Sequence, residues 1–476
     1  MNASREDRCT PGWLATIFIH FCGVLFGASL YIASPALAQP VSGSEQTRLE
    51  AQKEALFQQM LRNPANLDAT FAYADVSARL GDYEAAVSAL ERMLLFNPNL
   101  PRVQLELGAL YFRMGSYDLA QDYFAKAAAG NPPPEVRARI AEYMAQIDKA
   151  TSRHHLSGYI FFGGQYQSDA NVAPGSPLIL SPIGAVLLNS QFVKQPSGSI
   201  FGSGSVLYSY DLEDQRRDTI DLTAVGYGNH YFNSSVSRLD LDLLEVTGGP
   251  RFNFPNGGLL GNVLASVKPY AIFDEVGLGE EQYFNAYGTG LEYDETVWND
   301  MLVKTAFEFR QKNFTDAPDR PLSRGLNGSD KLVSVSATKP VAANAALNLE
   351  LDYLDQTTRL PYYTNSTYAV IGAYRVHYDA PLKATPYPWE TSFFIGRAWS
   401  IYASPDPCCN TSSDPETTFS AASQLTQRWR FGLTQAVAVT PRMAVVLQLE
   451  RDIVSSNLPI YAYTSNSVLL GPQIRF

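Results

Sequence analysis

From about Ser152 onward, apolar and polar side chains alternate with a period of two, and this alternation constrains the fold more than any other feature of the chain. Leu347, Leu349, Leu351 and Tyr353 alternate with Asn348, Glu350 and Asp352; Met443, Val445, Leu447 and Leu449 alternate with Val446, Gln448 and Glu450. Successive side chains of a strand point to opposite faces, so each segment has one apolar and one polar face. In a soluble sandwich the apolar face turns inward, whereas in a membrane barrel it turns out to lipid and the polar face lines the lumen. Alternation alone does not choose between them.

The first residues set the compartment. Arg5 and Arg8 precede an apolar stretch from Trp13 to Ile32, and Ala36 and Ala38 frame an Ala-x-Ala site. This is the pattern of a secretory signal peptide over 1–38, with Ser34-Pro35 breaking the helix before the cut. Cys22 follows Phe21 without the small residue that precedes a lipid-modified cysteine, so no lipoprotein is expected. After Ala38 no apolar run is long enough for a transmembrane helix, so any membrane crossing must use strands.

The formal charge of -11 argues against a nucleic-acid partner, because neutralising phosphates takes clustered Lys and Arg. Beyond the signal peptide the cysteines are Cys408 and Cys409, a candidate vicinal disulfide with no His or Cys nearby to complete a metal site. The adjacent His154 and His155 would point to opposite faces of a strand, which is no ligand geometry. No Ser-His-Asp spacing and no nucleotide loop occurs. Neither an enzyme, a cofactor nor a metal is expected.

A second period precedes the strands. Asn63-Pro64, Asn97-Pro98 and Asn131-Pro132 recur about 34 residues apart, and Gly81-Asp82-Tyr83 is matched by Gly115-Ser116-Tyr117, Ala86 by Ala120, Leu90 by Phe124 and Ala74 by Gly108. Small residues let two helices approach, glycines serve the turn between them, and prolines close the second helix. The pattern resembles the tetratricopeptide repeat, with two complete repeats over 67–134, a partial one from Thr47 to Asn66 and a closing helix from Glu135 to Ala150. The resemblance implies a partner-binding groove on the first helices, carrying Asp68, Phe71, Asp75, Arg79, Arg102, Leu105, Phe112 and Arg113. A repeat domain over 39–150 would then precede a barrel over 151–476.

Three features favour the barrel. About fourteen candidate strands begin near Leu156, Ser199, Asp218, Ser237, Val263, Tyr283, Asp300, Asp330, Asn344, Ser366, Pro388, Leu425, Arg442 and Thr464, most longer than the usual five or six residues of soluble strands. With the repeats in the periplasm, the odd connections face the cell exterior. They include the long segments from Gln167 to Gln195, Phe314 to Ser329 and Ser404 to Ala422, while Trp298-Asn299 and Thr440-Pro441 on the other side are short. Val468, Leu470, Ile474 and Phe476 share a strand face, which resembles the terminal aromatic signal read by the outer-membrane barrel assembly machinery. Tyr208, Tyr210, Tyr231, Phe232, Tyr353 and Trp399 near strand ends suit an aromatic belt at the lipid boundary. The lumen should then hold Asp240, Asp242, Glu350, Asp352, Gln448 and Glu450.

The expected fold class is therefore α + β multidomain: a helical repeat domain followed by a transmembrane antiparallel barrel of about fourteen strands. Helical repeats joined to such a barrel resemble the surface lipoprotein assembly modulator family, and also the exopolysaccharide export porins, whose repeat arrays are longer. The segment from Gln167 to Val172 resembles an Asp-Ser-Asn-Val-type segment early in modulator barrels, with Ala170 in place of Ser, although turn chemistry alone would also place Asp and Asn there. The first resemblance implies a periplasmic or surface-exposed protein client, a lipoprotein in the modulators, together with outer-membrane lipid around the barrel. The second implies a glycan threading the lumen. A passive diffusion porin would leave the repeats without a task.

Overall fold

The computed structural model describes residues 43–405 and 423–476, apart from 64, 65, 182, 183, 189, 256, 260, 262, 263 and 299. The signal-peptide segment and Cys408-Cys409 lie outside the described residues. The described chain divides between Ser152 and Arg153 into two compact units.

The first unit is a series of six helices: α1 (Gly43–Arg62), α2 (Leu67–Arg79), α3 (Tyr83–Phe96), α4 (Pro101–Arg113), α5 (Tyr117–Ala129) and α6 (Pro134–Thr151). Four of the starts have a local cause. Asn66 and Asp82 cap α2 and α3 by accepting the amides of Ala69 and Ala85, and Pro101 and Pro134 begin α4 and α6 with a preset φ. Gly81 and Gly115 adopt left-handed φ of 81° and 74° in the turns of the two helical hairpins. Ala86, Leu107, Ala120 and Phe124 are completely buried between the helices. A side chain at Gly108 would meet the Phe124 ring at 2.7 Å, so the glycine sets the α4–α5 distance.

The second unit contains β1 (His154–Gln167), β2 (Leu178–Ser181), β3 (Gly184–Leu187), β4 (Ser197–Asp211), β5 (Thr219–Tyr231), β6 (Leu241–Phe254), β7 (Ala265–Leu278) and β8 (Glu281–Val297). It continues with β9 (Met301–Phe314), β10 (Gly328–Ala342), β11 (Ala345–Thr358), β12 (Asn365–Tyr378), β13 (Trp389–Pro405), β14 (Ser423–Ala438), β15 (Met443–Ser456) and β16 (Tyr463–Arg475). Fourteen of these form one closed antiparallel barrel, and β2 with β3 makes a hairpin inside the first loop that the sequence did not announce. The seam pairs β1 with β16, from Tyr159 opposite Arg475 to Gln167 opposite Ser467, and Gly158 and Phe476 exchange backbone hydrogen bonds beyond it.

Closure decides which face is which. Leu347, Leu349 and Leu351 are 45–49% exposed on the outer wall, and so are Leu447, Leu449, Val468, Leu470 and Ile474 at 38–54%. A soluble sandwich would bury these side chains. An apolar band around a closed wall is the surface that a bilayer covers. The alternate residues Glu350, Asp352, Gln448 and Glu450 face inward, as expected. Asp240 and Asp242 do not. The inward set on β6 begins Leu241, Leu243, Glu245, because an apolar cluster with Val276, Leu278, Phe284 and Phe314 fills the interior at that level and puts Asp242 on the opposite face. Tyr231 likewise turns into the lumen, where its hydroxyl donates to Gln167 Oε1 at 2.7 Å.

One end of the barrel carries the long connections 168–196 and 315–327, and the other carries 298–300 and 343–344. These are the loop end and the turn end below. Three connections depart from that division: β7 and β8 are joined at the loop end by Gly279-Glu280 alone, with Gly279 at φ 66°, while 255–264 and 379–388 at the turn end are longer.

Candidate functional site

Helix α2 places Phe71, Asp75 and Arg79 at four-residue intervals, hence in one stripe, and Asp75 and Arg79 are exposed along with Asp68. On α4, Arg102 and Arg113 lie three turns apart on a common stripe and are both exposed. The two stripes meet: the Arg102 guanidinium lies 4.6 Å from the Phe71 ring centroid, a cation–π contact between the first helices of consecutive hairpins. Residues 77–143 match the tetratricopeptide repeat family model. The match runs from the end of α2 into α6.

No curated protein matches the chain. Among solved structures, the type III secretion chaperone SycD of Yersinia enterocolitica, in complex with a peptide of the translocator YopD, is 11% identical with a TM-score of 0.21. It covers 23% of this chain and 86% of its own. PcrH from Pseudomonas aeruginosa is 19% identical, covering 25% and 100%, with a TM-score of 0.18. OccD3 (OpdP) of Pseudomonas aeruginosa is 10% identical, covering 67% of this chain and 91% of its own, with a TM-score of 0.29. At these scores the likeness extends to no residue role.

Two residues expected on the tetratricopeptide groove are placed elsewhere. Leu105 is only 9% exposed and belongs to the cluster of Ala109, Ala120, Phe124 and Ile140. Three residues beyond Arg102, it is turned roughly 60° around the helix, toward α5 and α6. Phe112, two turns after Leu105, is half-buried with its ring 5.8 Å from that of Tyr117 and 5.4 Å from that of Tyr143. The exposed face is therefore Asp68, Asp75, Arg79, Arg102 and Arg113 around the half-buried Phe71. Helical period does not separate Leu105 from that face, since Phe71 holds the same position one repeat earlier; packing against α5 and α6 does.

Inside the barrel, charges are held by one another. Arg251 on β6 donates to Asp221 on β5 at 2.9 Å, and to Glu292 and Asp294 on β8, both at 2.7 Å. Arg310 on β9 contacts Glu245 and Asp274 at 2.9 Å and Glu308 at 2.8 Å, so one guanidinium ties β6, β7 and β9. The inward Gly290 permits this lateral reach. A methyl there would sit 2.2 Å from the Tyr270 ring, which lies flat on the wall and donates to Glu308 at 2.7 Å. Arg428–Asp452 at 2.6 Å and Arg430–Glu450 at 3.0 Å line the opposite arc. Among the described residues no group of His, Cys, Asp and Glu could hold a metal ion.

The segment after β1 closes on β16, the neighbouring strand across the seam. Asp169 and Asn171 are 1% and 4% exposed. Asp169 Oδ1 accepts the Ala173 amide at 3.0 Å, while Asn171 donates to the Val193 carbonyl and accepts the Gln195 amide, both at 2.8 Å. Lys194 then donates to the Thr464 carbonyl at 2.7 Å. Val172 is held at φ 48°, a region a β-branched residue enters only when its surroundings force it. Burial pushes the Asp169 carboxyl up to about 6, against the pull of the Ala173 amide and the Lys194 charge. Asp169 and Asn171 thus hold a loop clasp, while Lys194 and Thr464 carry no local signal and were invisible in the sequence.

Proposed function

We propose that this chain is an outer-membrane protein whose tetratricopeptide repeats take hold of a protein client in the periplasm and whose barrel helps deliver it to the cell surface. The single observation that carries the reading is the α2–α4 face, where Arg102 covers Phe71 and Asp75, Arg79 and Arg113 surround it. A mixed-charge face with one aromatic at its centre suits a peptide segment better than a uniform polymer. The barrel supplies the membrane-crossing element by physical necessity, since its outer wall is apolar and all its strands are paired. The finer reading, a lipoprotein client as in the assembly modulators, is supported by the domain order, the short repeat array and the segment from Gln167 to Val172. The outward row Val468, Leu470, Ile474 and Phe476 is the part that the barrel assembly machinery would engage during biogenesis.

A second reading, polysaccharide export, has one observation behind it: Phe161, Phe201 and Tyr227 form an inward aromatic ladder with ring spacings of 5.1 and 5.3 Å. These rings sit on three successive strands, so the ladder runs around the wall rather than along the path a glycan would follow.

The test replaces Arg102 and Arg113 together by Glu in the producing bacterium and compares surface-exposed proteins by protease shaving and mass spectrometry. Loss of one or a few surface proteins, with barrel levels unchanged, is expected. An unaltered surface proteome with reduced exported polysaccharide would transfer the assignment to the second reading.

A further inference from the structure

Among the described residues, the outer wall carries two arginines with no acid beside them. Arg397 on β13 stands opposite Val370 on β12 and Trp429 on β14, on the same outward face as the half-exposed Phe393, Ile395 and Ile401. Its guanidinium lies 4.6 Å from the Trp399 ring and 4.6 Å from the Trp429 ring, donates to Gln427 Oε1 at 3.1 Å, and leaves Nε buried without a partner. Arg451 on β15 is exposed on the same face, opposite Phe431 and Asn466. Strand spacing and rise put the two arginine Cα atoms roughly 12 Å apart, within joint reach of one headgroup. The outward lysines elsewhere are differently supplied: Lys331 meets Asp355 at 3.7 Å and Lys339 meets Asp300 at 2.7 Å.

The depth of the pair is set by its neighbours. Trp399 is opposite Tyr368, and Tyr368 is opposite Tyr353, with the two tyrosine rings 5.0 Å apart. Such a belt of amphipathic rings marks the headgroup level of a bilayer, here toward the loop end. Phe431 opposite Arg451 and, toward the turn end, Phe393, Leu433, Leu449 and Val468 line a shallow depression of about 520 Å³ with the arginine at its rim. An unpaired cation on a lipid-facing wall is costly unless an anion joins it.

We propose that this patch binds a phosphorylated glycolipid of the surrounding leaflet, with its phosphate between Arg397 and Arg451 and an acyl chain in the depression. A guanidinium fork matches a phosphate bidentately, and two indole rings fix its plane without using its N–H donors. The exposed amides of Gln427 and Asn466 stand beside it for sugar hydroxyls, which favours a glycolipid over a simple phospholipid.

The experiment is a native mass-spectrometry titration of the full chain in detergent with an acylated glucosamine disaccharide bearing two phosphates, with its phosphatase-treated form and with phosphatidylglycerol. The two-phosphate lipid should bind at least tenfold more tightly than either control, and Arg397→Ala or Arg451→Ala should each weaken it about tenfold, the loss expected for one charge-assisted contact. Arg397→Gln, which keeps the stem packed between the tryptophans, serves if the alanine variant loses the heat-dependent electrophoretic shift of a folded barrel. Equal binding of the dephosphorylated lipid, equal binding of phosphatidylglycerol, or a loss under threefold in the folded arginine variants would overturn the proposal.

Discussion

Asp169 and Ser465 meet across 296 residues of sequence, the Ser465 hydroxyl donating to the Asp169 carbonyl oxygen at 3.1 Å. With the Lys194 bond to Thr464 one residue earlier, this contact fastens the first loop of the barrel to its last strand. The Asp169 side chain makes the clasp pH-sensitive. Its folded carboxyl titrates at about 6 instead of the ordinary 3.8, so closing the clasp takes up a proton between those values. The clasp is firmest below about pH 4 and weakens as pH rises through 6, by on the order of a hundredfold in its opening equilibrium. Hydrogen-exchange protection of the Ala170, Ala173 and Gln195 amides, corrected for intrinsic rates, should fall over that interval. In Asp169→Asn, which keeps the acceptor for Ala173, it should stay high and flat. A wild-type profile as flat as that of the variant would disprove the assignment.

The repeat domain should be sensitive at Gly108. Gly108→Val drives a branched side chain into the Phe124 ring, and overpacking of this kind costs about 1–3 kcal/mol. The helical melting transition should move down by several degrees. Adding Phe124→Leu should restore part of the loss, and additive losses in the double variant would show that the two side chains do not share that space.

In the lumen, Arg310→Ala leaves Glu245, Asp274 and Glu308 facing one another without their common cation. Removing one partner of a buried ionic group costs about 3–5 kcal/mol, so the urea midpoint of the barrel in detergent should fall clearly. Arg324→Ala should leave the midpoint unchanged, since its ion pair with Asp316 at 3.6 Å is surface-exposed. Equal effects from the two substitutions would mean that the inward network contributes nothing to barrel stability.

Much of this architecture was legible because local rules and global fold agree. The 34-residue spacing of Gly81 and Gly115 marked the helical hairpins, since only a left-handed turn residue serves there. The strand starts expected from alternation fall within about four residues of those observed, the largest gap being Ser237 against Leu241, where a short 3₁₀ turn over Ser237–Leu239 intervenes. Side-chain direction was legible where lipid and lumen impose opposite polarity, as on β11. It failed at Asp240 and Asp242, where an apolar interior cluster reverses that polarity, and the parity of β6 then follows the cluster. Leu105 and Phe112 depart from the groove expected by family position because packing against α5 and α6, which no helical period shows, draws them in. The Arg397 and Arg451 pair is not legible in the sequence because alternation does not distinguish an outward cation that meets an acid from one that does not.

A photocrosslinking residue at Arg113 in living cells probes client capture by the repeat face. A discrete protein adduct, identifiable by mass spectrometry, is expected; it should disappear when Arg102 is replaced by Glu and be absent when the crosslinker sits at the exposed Leu95 on α3. Glycan adducts, or no adduct that depends on Arg102, would contradict it.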